Sequence, residues 1–98
     1  MRSGIAQFLR YLATERNASD LTIKAYREDL FGLIDWLETS RGKIPRPDSL
    51  SPQDLRAFQA ALQEAGYART TIARKLASLR SFYRFAIRQG IATENPAK

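Results

Sequence analysis

The chain has 98 residues, enough for one domain around one core, and 44% of them are hydrophobic. It contains no Cys and no His, which excludes disulfides, thiolate metal sites and histidine-based acid–base or metal chemistry. Sixteen Lys and Arg against ten Asp and Glu give a net charge of +6, a balance that suits a polyanionic partner.

The opening Met1-Arg2-Ser3-Gly4 lacks the apolar run of a secretory signal, and no stretch approaches the ~20 apolar residues that span a bilayer. A cytoplasmic protein with no membrane partner is expected. Periodicity predicts four helices, over about residues 3–16, 20–40, 52–65 and 70–89, and no strand, because Val is absent and no segment alternates with period two. In the first helix Ile5, Phe8, Leu9 and Leu12 recur at helical spacing. Ser19 is the expected N-cap of the second, whose stripe is Ile23, Tyr26, Leu30, Leu33, Ile34 and Leu37, widened by Phe31 and Trp36. Its adjacent carboxylates Glu28 and Asp29 diverge on a helix, so they read as surface or helix-pairing charges and not as an acid/base pair.

Residues 41–50 read as a loop, with one Gly and two Pro. Ser51 as N-cap, Pro52 at the first position and Asp54 at the third then open the next helix, with Leu50 and Leu55 as a hydrophobic staple. Leu55, Phe58 and Leu62 are its core face, and Gly66 ends it. The fourth helix runs to Gly90, and Asn95-Pro96 bars continuation.

The fourth helix carries the charge. Between Glu64 and Glu94 there is no acidic residue, and the interval holds Arg69, Arg74, Lys75, Arg80, Arg84 and Arg88. Without these six, ten basic residues face ten acidic ones. At about 100° per residue, Ile72, Leu76, Leu79, Tyr83 and Ala86 form a core stripe about 80° wide. Arg80, Arg84 and Arg88, spaced by four, line one flank with Arg74 further round and Thr70, Ala73, Ala77 and Ser81 between them. Arg reaches phosphates and base edges, and small residues permit close approach, so this face reads as a nucleic-acid surface. A merely solvated face ordinarily interleaves Glu with Lys or Arg, whereas like charges at this spacing cost stability. The helix start, with Arg69 and the hydroxyls of Thr70 and Thr71, reads either as a phosphate site or as plain capping by Thr70. No metal cluster, phosphate loop or nucleophile–base pair can be assembled, so no cofactor is expected.

Four segments in order resemble one family. Thr22-Ile23-Lys24-Ala25-Tyr26-Arg27-Glu28-Asp29-Leu30 after Ser19 is similar to the second-helix signature of tyrosine recombinases of the Xer and phage-integrase type. The run Thr70 to Tyr83, the opening Leu50-Ser51-Pro52-Gln53-Asp54-Leu55, and the exit from Gly90 to Asn95-Pro96-Ala97 fit the same family. The resemblance implies an all-α, SAM-like core-binding domain of four helices in two crossed pairs, with residues 91–98 starting a linker to a C-terminal catalytic domain. It implies double-stranded DNA as partner, with this domain as the N-terminal half of a clamp and other recombinase protomers joining on DNA, while the lone domain is monomeric. Carried over by motif position, the DNA contacts are Thr70, Thr71, Arg74, Lys75, Ser78, Arg80, Ser81 and Arg84 on the fourth helix and Thr22, Lys24 and Arg27 on the second; charge and position add Arg69 and Arg88. The family's Tyr nucleophile and its Arg, Lys and His helpers belong to the other domain, so no catalysis is expected of this chain. The alternatives are a stand-alone helical DNA-binding regulator and a helical protein–protein module.

Overall fold

The structure is a computed structural model and describes residues 1–42 and 46–98; Lys43, Ile44 and Pro45 of the expected 41–50 loop lie outside the described residues. Four α-helices are present and no strand among the described residues: α1 (Arg2–Thr14), α2 (Asp20–Arg41), α3 (Pro52–Glu64) and α4 (Arg69–Arg88). Part of the expected loop is helical: Arg41 belongs to α2, and Pro47–Ser49 form one 3-10 turn.

The helix ends follow from local hydrogen bonding. The Ser19 hydroxyl accepts the Thr22 backbone N–H at 3.2 Å and starts α2. Ser51 and Asp54 form a reciprocal capping box at α3: the Asp54 N–H donates to the Ser51 hydroxyl at 3.2 Å, and the Ser51 N–H to the Asp54 carboxylate at 2.8 Å. The free oxygen of Asp54 pairs with Arg41, joining the C-terminus of α2 to the N-terminus of α3 with charges that suit both helix dipoles. At α4 the capping reading of Thr70 is corrected. The N-cap is Ala68, no side chain caps the helix, and Thr70 already lies inside it.

Among the described residues, one core of nineteen buried apolar residues draws on every helix. α4 is the central element, packing against α1, α2 and α3, while α1 and α2 pack on each other. This centrality corrects the expected core stripe of α4. Phe82 and Phe85 are buried beside Ile72, Leu79, Tyr83 and Ala86, as is Ser78. The buried arc is about 160° wide at 100° per residue, because three neighbours cover it. Leu76, Ile23 and Tyr26, expected in the core, are half-buried at its margin. Aromatic rings fill the junction of α1 and α4: Phe8 meets Phe82 edge-on at 5.9 Å and Phe85 at 5.4 Å.

The chain after α4 is folded back. Gly90 takes φ +74°, a left-handed conformation that glycine adopts without strain, and the N–H groups of Ile91 and Ala92 both donate to the Ala86 carbonyl, at 2.8 and 3.2 Å. Ile91 then rests on Gly4, where a Cβ would stand 3.4 Å from it, and Ala92 is buried. The Asp48 carboxylate accepts the Thr93 N–H at 2.7 Å and its hydroxyl at 3.2 Å. Residues 91–93, expected to begin a linker, are therefore part of the packed domain.

Beneath this segment the fully buried Tyr83 donates its phenol proton to the Pro47 carbonyl at 2.7 Å. Burial, assisted by the Asp48 charge, raises the phenol well above its ordinary value near 10. A raised folded-state value favours the neutral form, so this contribution is complete below pH ~10 and is lost as pH rises above it. Tyr83→Phe is expected to lose about 1 kcal/mol at pH 7 through the missing hydrogen bond. The gap in melting temperature between wild type and variant should narrow between pH 9.5 and 12, and a constant gap over that range contradicts the assignment.

Candidate nucleic-acid interface

α4 carries its charge on the arc that the core leaves uncovered. Arg84 and Arg88 are exposed there, Arg80 is half-buried at one margin, and exposed Arg74 stands at the other beside Ser81. Among the described residues no carboxylate lies within 4.0 Å of Arg69, Arg80, Arg84 or Arg88. Two of these guanidinium groups rest instead on neutral partners. Arg84 donates to the Ser81 hydroxyl at 3.1 Å, and Arg88 donates to the Tyr11 phenol at 3.2 Å while lying 5.4 Å from the centre of that ring.

The inner margin is organised by one carboxylate. Asp29 on α2 is 2% exposed, yet every acceptor position it offers toward α4 is used. Its Oδ1 accepts from Arg74 Nη2 at 2.8 Å and Lys75 Nζ at 3.3 Å; its Oδ2 accepts from Arg74 Nε at 3.2 Å and the Ser78 hydroxyl at 2.7 Å. Of the two readings open for Asp29, surface charge or helix pairing, the structure gives the second. Arg74 presents its planar fork bidentately and keeps half of its side chain in solvent. Lys75 turns inward, only 13% exposed at the side chain, with its ammonium 5.6 Å from the centre of the Tyr67 ring.

The structure brings some of the residues singled out in the sequence together and separates others. Thr22, Arg74, Ser78 and Ser81 line a shallow seam between α2 and α4. Thr22, Ser81, Arg84 and Arg88 also line the adjoining groove at the end of α1. Ser78 is buried with its hydroxyl spent on Asp29, so its part is to orient the carboxylate. Lys24 and Arg27 are exposed but lie about 140° and 160° around α2 from Asp29, away from the seam. Arg69 stands apart, in a groove with Gln59 and Gln63 of α3. Thr70 is exposed and Thr71 half-buried in the uncapped first turn.

Two residues of this surface were not foreseen, Tyr11 and Arg16, which line the groove with Arg84 and Arg88. Hydrogen bonding from Arg16, then from Arg88, lowers the Tyr11 phenol below its ordinary value. The only sequence signal is that Arg16 is basic; its approach to the far end of α4 is tertiary. No group of His, Cys, Asp or Glu among the described residues is arranged to hold a metal ion, and no helix there is long and apolar enough to cross a membrane.

The family model described as phage integrase, N-terminal SAM-like domain, matches residues 5–90. The chain is 44% identical over 87 residues to a tyrosine recombinase XerD of Bifidobacterium longum, a match covering 89% of this chain and 28% of that protein. It is 40% identical over 95 residues to a tyrosine recombinase XerC of Pelotomaculum thermopropionicum, covering 94% and 31%. A tyrosine recombinase XerD of Chlorobaculum tepidum is 37% identical over 97 residues, covering 99% and 31%. The chain thus spans less than a third of the length of these curated relatives. No solved structure matches it significantly.

The Asp29 cluster yields a stability prediction. Asp29→Asn keeps the shape but removes the charge that two cations and a hydroxyl share, and should lower the unfolding free energy by about 2 kcal/mol. Arg74→Ala should cost less than about 1 kcal/mol, because half of that side chain is solvated and Lys75 remains. Urea midpoints of the two variants check the order; equal midpoints would show that Asp29 does not hold the helices together.

Proposed function

We propose that this chain, which belongs to the phage integrase N-terminal SAM-like domain family, binds double-stranded DNA through the outer face of α4 and the start of α2. The observation that carries this reading is the row Arg80, Arg84 and Arg88. It has no carboxylate partner among the described residues, on a helix whose opposite side is the centre of the core. Like charges at four-residue spacing are unfavourable in the free helix. A phosphate backbone across the row turns that cost into attraction.

Several features support the rest of the reading. Ala73, Ala77 and Ser81 keep the surface between the arginines low, so the helix can approach a groove wall closely. The bidentate grip of Asp29 holds the Arg74 fork at a fixed place on the seam, which favours a defined contact over a diffuse one. The relatives that match across the chain carry the name tyrosine recombinase. Our reading of the parent protein is accordingly a recombinase that breaks and rejoins DNA in site-specific recombination, working in the cytoplasm with further protomers on the same DNA. This chain supplies one half of its DNA clamp, and the reacting groups lie in the part of the relatives that this chain does not span. The isolated domain should bind weakly, with affinity dominated by phosphate contacts and a modest sequence preference.

Anisotropy of a labelled duplex of about 30 base pairs tests the reading. Neutralising about 4–6 phosphates gives a log–log salt slope of about −4 to −5. The double variant Arg80→Ala/Arg84→Ala should bind at least ten-fold more weakly at 0.1 M salt, with a slope shallower by about 2 and an unchanged helical circular dichroism spectrum. If the double variant binds with the wild-type constant and slope, the α4 face is not the contact surface.

A further inference from the structure

The groove at the junction of α1, α2 and α4 is the strongest feature that neither the basic row nor the α2–α4 seam explains. It has a volume of about 670 Å³, and its polar lining consists of Tyr11, Arg16, Thr22, Tyr26, Ser81, Arg84 and Arg88. No acidic residue lines it. Three guanidinium groups from two separate stretches of chain therefore converge on one concavity with an uncompensated local charge of about +3. Their immediate supports are neutral: Arg88 is held by the Tyr11 oxygen at 3.2 Å and by its ring face, and Arg84 by the Ser81 hydroxyl at 3.1 Å. Tyr11 is itself fixed, its ring 5.0 Å from Phe85 and 6.4 Å from Phe8 in the core. The groove thus has rigid walls, hydroxyl donors and cations, and it opens beside the face of α4 already assigned to DNA.

We propose that this groove seats a backbone phosphodiester of the bound duplex, with Arg16 and Arg88 as the gripping cations and Tyr11 as the residue that positions Arg88. The inference rests on the DNA-binding reading and extends it to α1, where the sequence analysis named no contact. Arg16 stands just beyond the C-terminus of α1, where Asn17 adopts φ +49° and turns the chain into α2. That turn delivers a cation from α1 to the same concavity as the last turns of α4. Depression of the Tyr11 phenol by Arg16 and Arg88 agrees with two cations crowding one oxygen. A phosphate oxygen entering the groove accepts from both guanidinium groups and relieves that crowding. The Thr22 hydroxyl, already joined to the Ser19 hydroxyl at 3.0 Å, stands at the groove edge as a further donor.

The test is the same duplex titration over several salt concentrations, with Arg16→Ala, Arg16→Lys, Tyr11→Phe and, as a control, Arg10→Ala. Arg10 is an exposed cation of α1 that does not line the groove. Expected for Arg16→Ala are a three- to ten-fold weaker constant at 0.1 M salt and a slope shallower by about 0.9, the value of one phosphate contact. Arg16→Lys should restore the slope, Tyr11→Phe should weaken binding about three-fold at unchanged slope, and Arg10→Ala should stay within two-fold of wild type. If Arg16→Ala tracks Arg10→Ala while Arg80→Ala/Arg84→Ala still weakens binding, the groove is not a phosphate seat and the DNA reading stands without it. If wild type binds no duplex even at low salt, both fall. Inorganic pyrophosphate saturating the groove as tightly as the duplex, by calorimetric titration, would assign it to a free anion and overturn the proposal.

Discussion

The interaction on which the rest of this structure depends is the carboxylate of Asp29. It is almost wholly removed from water, and a charge in that position is tolerable only when its lone pairs are used and its charge is matched. Arg74, Lys75 and Ser78 meet both conditions from successive turns of α4. A bidentate guanidinium and a hydroxyl fix direction as well as distance, so the register of α2 against α4 is set at this point. Burial of apolar residues such as Leu33 on α2 and Leu79 on α4 supplies most of the attraction between these helices, but apolar packing tolerates sliding. The buried carboxylate does not.

That register decides which residues of α4 reach solvent. With α1, α2 and α3 all packed on it, α4 has about 200° of its circumference left, and the arginines occupy it. The arrangement separates two uses of one charge type along a single helix. Arg74 and Lys75, at the N-terminal end, are engaged with a buried anion and brace the fold. Further along, Arg84 and Arg88 are supported by hydroxyls and an aromatic ring, and Arg80 has no carboxylate partner among the described residues. The bracing pair with Asp29 therefore carries a net charge of about one unit, and the unpaired cations of α4 lie outside it, at Arg69, Arg80, Arg84 and Arg88 among the described residues.

The fold was legible in the sequence to the extent that it rests on local rules. Ser19, Ser51 with Asp54, and Gly90 act where cap and stop chemistry put them, and the four periodic segments became the four helices. Failures have a common physical origin in tertiary coverage. Phe82 and Phe85 fell outside a stripe drawn for a helix with one buried side, whereas α4 has three neighbours. Ser78, carried over by motif position as a DNA contact, is buried by the same coverage. The capping reading of Thr70, one of two left open, fell two residues past the cap, because propensity favours Thr over Ala at an N-cap and nothing local announced that Ala68 would hold it. In the candidate interface the row of arginines was visible from spacing alone, while Tyr11 and Arg16 were not. Their place depends on how the end of α1 meets the end of α4, and that is written in the packing of Phe8 on Phe82 and Phe85.

The same packing bears on what the basic row costs. Each like-charge pair at four-residue spacing disfavours an isolated helix by a few tenths of a kcal/mol. α4 also begins without a side-chain cap and carries cations in its first turns, where the macrodipole disfavours them. By local criteria α4 should be the weakest helix of the four, yet it forms the centre of the domain. Burial of Ile72, Leu79, Phe82, Tyr83, Phe85 and Ala86, at about 1.5–3 kcal/mol for each large side chain, outweighs those local penalties several-fold. A helix that is stable only because its neighbours hold it can keep an outer face unsuited to being a helix by itself. Here that face is released from the demands of helix stability, and it carries a continuous arc of arginine and small residues.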